Sequence, residues 1–240
     1  EKNKPHRYHA RFIEDEHFKN ITPTQAVAEL QTMEIGDYLI RPSTKGNDKL
    51  DLLIKFPGNS YGIYEIIEKD KKSRGDLTLG KKLSIDMDQF EDLDDIHWNF
   101  VEKIKEKLDK IMRHKRWEPD IDRALQALST ERSANPNLAT YRITVEPELK
   151  STVCFMWISK DGQLIKEPIR PTPSEYRYRH DSYDKLDSII NRWKTLKYRP
   201  PSENEARTYE RQRFKTDAEE EQDRAMQEKN SQTVRGYGKV

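Results

Sequence analysis

Two stretches of this chain, roughly a hundred residues apart, run through the same order of elements: helix, antiparallel strands, helix. A period of that length is too long for a stacked solenoid, so it prescribes a tandem of similar domains. In the first stretch Thr22-Pro23-Thr24 opens a helix, with Thr22 or Thr24 as its cap. Ala26, Val27, Leu30 and Met33 form its apolar stripe and Gly36 stops it. A strand at 38–41 follows. Leu50, Leu52, Ile54 and Phe56 then alternate with Lys49, Asp51 and Lys55 before the turn Pro57-Gly58-Asn59-Ser60, and 63–68 reads as the returning strand. After a short segment at 83–85, Leu93, Ile96, Val101, Ile104, Leu108 and Ile111 recur at helical spacing. A core of three strands is expected.

The second stretch repeats that order with little residue identity. Its helix carries Ile121, Leu125 and Leu128 and ends near Ser133-Ala134-Asn135-Pro136. Strands are expected at 141–145 and 153–158, and the turn Lys160-Asp161-Gly162 launches a third at 163–166. Leu186, Ile189, Ile190, Trp193 and Leu196 mark the closing helix. The fold class is therefore α+β, with one domain over 9–113 and a second over 117–200. Few glycines separate the helix ending near Arg113 from the one starting by Pro119, so the domains are expected to be held rigidly. From residue 201 the composition turns polar, with runs such as Glu219-Glu220-Glu221, and 201–240 reads as a charged tail, helical or disordered.

Composition narrows the function classes. Only 33% of residues are hydrophobic and 36% are charged, which suits two thin domains better than one thick core. Lys and Arg total 44 against 43 Asp and Glu, a balance that argues against broad nucleic-acid binding through a basic face. Cys154 is the single cysteine; no intramolecular disulfide can form, and a reducing compartment is expected. No apolar run reaches membrane-spanning length, and a soluble intracellular chain is expected. The six histidines show no metal-ligand spacing, no phosphate loop of the nucleotide-binding kind occurs, and no set of nucleophile, base and oxyanion donors assembles. A cofactor, a metal and a small-molecule substrate are accordingly not expected, nor is an enzyme.

The run Gly36-Asp37-Tyr38-Leu39-Ile40-Arg41-Pro42-Ser43-Thr44-Lys45-Gly46 carries the chemistry. It sets one arginine in an apolar strand just before a loop rich in hydroxyls. Leu39 and Arg41 share a face on the two-residue strand period, and a guanidinium buried there needs an anion. Ser43, Thr44 and the loop amides can donate to phosphate oxygens, and Lys45 adds a point charge. On spacing alone an internal carboxylate such as Asp37 or Asp51 satisfies Arg41 equally well.

A helix leading to a strand that ends in Ile-Arg-x-Ser resembles the Src homology 2 domain. With Leu79-Gly80, Phe90-Glu91-Asp92-Leu93-Asp94-Asp95-Ile96, Tyr176-Arg177-Tyr178-Arg179 and Arg192-Trp193-Lys194, residues 9–198 resemble the tandem Src homology 2 module of the suppressor of Ty six family, nuclear transcription elongation factors and histone chaperones. The resemblance implies a rigid pair of such domains, each a central antiparallel sheet flanked by two helices. It implies phosphopeptide binding in the nucleus, with the phosphorylated linker of the largest RNA polymerase II subunit as partner. Arg41 takes the role of phosphate clamp, and Ser43, Thr44 and Lys45 those of its loop.

This sequence departs from the pattern in places. Pro23 stands where many phosphotyrosine-binding members carry a helix arginine, and Ile66 near the place of a fourth-strand histidine. Both point away from phosphotyrosine and towards phosphothreonine or phosphoserine. Aligning Tyr141-Arg142-Ile143-Thr144 with the first strand puts Thr144 in the place of Arg41, so the usual pocket is expected to be missing from the second domain. Lys194, Lys197, Arg177 and Arg179 are the candidates there, although each taken alone reads better as a solvated charge on a helix or a strand edge. Two rival readings are a nucleic-acid-binding module, on the run Arg113-His114-Lys115-Arg116, and a cytoplasmic phosphotyrosine signalling adaptor.

Overall fold

Each half is built around a five-stranded antiparallel meander, two strands more than the periodicity reveals. The structure, a computed structural model, describes residues 9–71, 73, 76–136, 138–146, 149, 151–159 and 161–195. The tail 201–240, Lys197, Leu196, Lys160 and part of Arg74-Gly75-Asp76 lie outside the described residues.

In the first half, α1 (Pro23–Gln31) precedes β1 (Tyr38–Pro42), β2 (Lys49–Lys55), β3 (Tyr61–Lys69), β4 (Lys82–Ile85) and β5 (Asp88–Phe90), which lie in that order across the sheet. Thr22 is the cap of α1: its hydroxyl accepts from the Gln25 amide while its own amide donates to the Gln25 side chain, satisfying two donors that the first turn leaves open. The short strands β4 and β5 carry too few alternating residues to be read from pattern alone.

The closing helix begins as α2 (Leu93–Ile96), widens into a π turn at His97–Val101 and continues as α3 (Glu102–Met112). Asp92 caps it by accepting from the Asp95 amide, so the acidic run at its start is a capping and dipole feature. Ile40, Leu52, Ile54, Ile66 and Phe100 form the core between the sheet and this helix, while Leu39 and Leu53 on the opposite face meet Ala26 and Leu30 of α1.

The second half runs α4 (Ile121–Ala134), β6 (Tyr141–Thr144), β7 (Val153–Ile158), β8 (Leu164–Pro171), β9 (Tyr176–Tyr178), β10 (Asp181–Tyr183) and α5 (Leu186–Thr195). An aromatic core of Tyr141, Phe155, Trp157, Tyr178 and Trp193 packs between sheet and α5. Cys154 is fully buried on the other face with Ala124 and Leu128 of α4.

The repetition reaches the level of single hydrogen bonds. Lys19 donates to Ile40 and Ile40 to His17, laying the entering chain along β1. Glu118 donates to Ile143 and Ile143 to Arg116, the same pair of bonds along β6. Ile143 is thus the counterpart of Ile40, and Thr144 that of Arg41.

The halves also touch. The Ser151 amide donates to the Tyr61 carbonyl, Lys107 on α3 donates to the Ser174 carbonyl and lies over the Tyr176 ring, and the Arg170 guanidinium lies 5.7 Å from the Tyr64 ring. Burial pushes the Lys107 ammonium below its usual range and the Tyr64 hydroxyl up to about 12.

Candidate functional site

The face of the first sheet that looks towards α1 collects the expected phosphate residues. Arg41 is placed there by strand alternation, since Leu39 on the same side packs against α1. Its side chain is only 5% exposed, and a guanidinium so deep must be paired. In this structure Nη2 donates to Asp51 Oδ2 at 2.5 Å and Nη1 donates to the Pro42 carbonyl at 2.7 Å. Of the two internal carboxylates that the sequence allows, Asp51 is the partner, because it stands directly opposite Arg41 in the β1–β2 register. Asp37 instead accepts from the Glu34 amide at the end of the preceding loop.

The register continues one strand further, pairing Asp51 with Glu65 on β3. Arg41, Asp51 and Glu65 therefore form a row across three strands on one face. Lys49 on β2 reaches Glu65 at 2.9 Å and Lys45 from the loop reaches it at 3.5 Å. Three cations and two carboxylates leave this cluster one positive charge in excess. Burial raises the Asp51 carboxyl above the usual range, with Arg41, a hydrogen bond from Ser43 and the charge of Lys45 opposing that rise.

The loop donors surround the row. Ser43 is buried, and its hydroxyl accepts from the Lys45 amide at 3.2 Å. Thr44 is half-buried and Lys45 exposed. Pro23 is the first residue of α1. Ile66 differs from expectation: it lies on the core side of β3, and Glu65 is the β3 residue on the side of Arg41. A one-residue step along a strand changes face, which linear alignment to a motif cannot resolve. Glu65 and Lys49 are the members of this cluster that sequence reasoning missed. The turn at 57–60 held the signal, since a hairpin centred there pairs Asp51 with Glu65.

In the second half, Thr144 is fully buried in the place of Arg41. Arg177 lies within β9 and Arg179 directly follows it. Arg177 is tied to Glu175 at 3.2 Å, and Arg179 to Glu167 at 2.8 Å, whose other oxygen accepts from the Tyr178 hydroxyl. Lys194 is exposed on α5 and forms no ion pair among the described residues.

Comparison with known proteins places the fold. The family model described as SH2 domain matches residues 1–196. Over 187 residues the chain is 28% identical to the transcription elongation factor SPT6-like of Arabidopsis thaliana, covering 76% of this chain and 14% of that protein. The chain thus spans only a small part of the curated relatives it matches. Among solved structures it is similar to a tandem SH2 domain of transcription elongation factor Spt6 that binds the phosphorylated RNA polymerase II C-terminal repeat domain. That match has a TM-score of 0.70 and 21% identity, covering 78% of this chain and 95% of the other. The tandem SH2 domains of Antonospora locustae Spt6 superpose with a TM-score of 0.63 and 20% identity, covering 75% and 93%.

Proposed function

The chain belongs to the SH2 domain family, and from that membership we propose that it is a non-enzymatic phosphopeptide-binding tandem, with domains at 9–113 and 117–200, acting in the nucleus as part of a transcription elongation factor. Its partner is a phosphorylated segment of the largest RNA polymerase II subunit, in the linker before the C-terminal repeats. The observation that carries this reading is Arg41, buried on the α1 face beside Ser43, Thr44 and Lys45 and balanced by a carboxylate rather than by packing.

A phosphate offers Arg41 what Asp51 offers, two oxygens in one plane, together with more charge and a third acceptor for the loop donors. Asp51 holds the guanidinium in shape until the ligand arrives. Its strained ionisation makes it the partner that yields, by taking up a proton as the phosphate moves in. Lys45 supplies the outer charge, since its 3.5 Å contact with Glu65 is long and exposed. The preference for phosphothreonine or phosphoserine rests on Pro23 and Ile66 standing where phosphotyrosine-binding members carry a helix arginine and a strand histidine. In the second domain Lys194, Lys197, Arg177 and Arg179 remain the resemblance-derived set, of which Lys194 offers an exposed point charge. The nucleic-acid reading loses ground because Arg116, in the basic run 113–116, is held by Glu131.

The test is fluorescence anisotropy with polymerase peptides, phosphorylated and unphosphorylated, from the linker and from the repeats. The parent chain should prefer a phosphorylated form, and Arg41→Ala should weaken that form by more than about 2 kcal/mol, since a desolvated charge pair loses one member. Arg41→Lys keeps the charge near Asp51 and loses the fork, so it should also weaken binding while preserving the fold. Phosphate-independent binding, or full affinity in Arg41→Lys, would overturn the proposal. Preference for repeat over linker peptides would move the partner site, leaving the pocket standing.

A further inference from the structure

The loop that carries Ser43, Thr44 and Lys45 is closed at its base and pinned at its far limb. The Ser43 amide donates to the Lys49 carbonyl, ending the β1–β2 hairpin, and the Glu68 amide donates to the Asp48 carbonyl at 2.8 Å. Beside that bond the Asn47 carbonyl accepts from two cations, Arg11 Nη1 at 2.8 Å and Lys71 Nζ at 2.9 Å. Both cations also hold Glu68. Arg11 Nη2 meets one of its oxygens at 2.7 Å, with side chains 1% and 0% exposed, and Lys71, 8% exposed, meets the other at 3.1 Å. The rest of the Arg11 guanidinium donates to the Leu77 and Thr78 carbonyls, at 3.0 and 2.8 Å.

We propose that Arg11 and Lys71 are positioning residues for the phosphate site: through the Asn47 carbonyl they fix the 43–48 loop in the shape that turns its donors to the ligand. The proposal deepens the phosphopeptide reading and rests on it.

Three observations set this cluster apart from an ion pair that serves the fold alone. First, Glu68 is satisfied without Lys71, since it already accepts from Arg11 and from the Gly80 amide at 3.0 Å. Lys71 is additional, and its shorter contact is with the loop carbonyl. Second, the clamp is registered to the strand that carries Arg41. The Arg11 amide donates to Asn20 Oδ1 at 2.7 Å and its carbonyl accepts from Asn20 Nδ2 at 2.9 Å. Asn20 follows Lys19, whose amide donates to the Ile40 carbonyl of β1. The two ends of the site, Arg41 and the far limb of the loop, thus share one reference.

Third, only Thr44, Lys45 and Gly46 lie between the buried Ser43 and the clamped Asn47. Three residues between two anchors have little freedom, and the Lys45 amide is tied to the Ser43 hydroxyl as well. A loop containing Gly46 would otherwise sample several backbone states and lose that entropy on binding. Clamping it beforehand moves the loss from the binding step to the folding step, which raises affinity without any new contact to the ligand.

Lys71→Met is the informative variant. It keeps the buried stem, leaves Glu68 paired with Arg11, and removes one of the two cationic donors to Asn47. Lys71→Arg restores a donor, and the cleft of about 530 Å³ lined by Asn47, Asp48, Glu68, Lys71 and Ser73 has room for the longer side chain. Two readouts on the full chain are compared: amide nitrogen relaxation over 44–47, and anisotropy with phosphorylated and unphosphorylated polymerase linker peptides. In Lys71→Met the loop amides should gain fast motion, and the phosphorylated peptide should bind roughly tenfold more weakly, the scale of one hydrogen bond to a charged group. The urea midpoint should stay near that of the parent, and Lys71→Arg should recover both loop order and affinity. A loop as rigid as the parent's or an undiminished affinity in Lys71→Met would overturn the proposal, as would a loss of affinity that only tracks a falling urea midpoint. A parent indifferent to phosphorylation would sink the phosphate pocket itself, while newly mobile loop amides in Lys71→Met would still show the clamp holding the loop.

Discussion

At the scale of single residues, the proposed phosphate site turns on Asp51, the partner of Arg41. Its carboxyl is raised mainly by burial, so the folded chain holds its proton more tightly than the unfolded chain does. The sign follows from linkage: the ionised form is a cost to the folded state, fully present above the folded value and absent below the unfolded one. A phosphate arriving beside Asp51 raises its carboxyl further, so binding takes up a proton. Affinity should therefore increase as pH falls, down to about pH 6, where the phosphate itself begins to lose charge. Calorimetry in two buffers of different ionisation enthalpy should show proton uptake in the parent that is missing in Asp51→Asn. Equal heats for the two proteins across both buffers would rule this linkage out.

At the scale of elements, α4 differs from α1 by its extra turn, and Glu131 is what that turn contributes. Hydrogen bonds from Arg142, and then from Arg116, hold the Glu131 carboxyl below its usual range against the opposing effect of burial. A depressed carboxyl stabilises the fold above its unfolded value, and that contribution is lost as pH falls through the folded one. Glu131→Gln should thus unfold at lower urea than the parent at pH 7, with the gap closing as the pH is taken below the carboxylate range. A gap that stays constant with pH would mean that Glu131 acts through packing instead. The helix from α2 to α3 makes a complementary point. Its apolar spacing is helical throughout, yet the backbone admits a π turn at 97–101, where the Glu102 amide donates to the His97 carbonyl.

Across the whole molecule, the β2–β3 turn couples the halves. Gly58 has φ +69°, in the left-handed region, and a Cβ placed on it would lie 2.4 Å from Val145 Cγ2 of the second half. Gly58→Ala combines backbone strain with a clash against a buried side chain, and should destabilise the chain by roughly 1–3 kcal/mol in thermal or urea unfolding. The loss should be accompanied by broader, less cooperative unfolding as the halves separate. A variant as stable as the parent would show that the turn can move away from Val145 without consequence.

What the sequence determined was whatever depends on neighbours along the chain. Period and caps gave α1, α4 and the long helices; alternation gave β2 and the face on which Arg41 lies; the turn at 57–60 gave a hairpin; and the repeated order gave two related halves. Thr144 could be set against Arg41 because each follows a strand isoleucine, and the matching hydrogen bonds of Ile40 and Ile143 bear that alignment out. The tertiary structure decided the partners of charges. Asp37 and Asp51 were equivalent candidates until strand register put Asp51 opposite Arg41, and Glu65 rather than Ile66 beside it. The sequence offered no partner for Arg142 and Arg116 because the residue that joins them, Glu131, arrives from another element. Ion pairs across elements depend on which face and which pleat meet in space, and a single residue's slip in register reverses both.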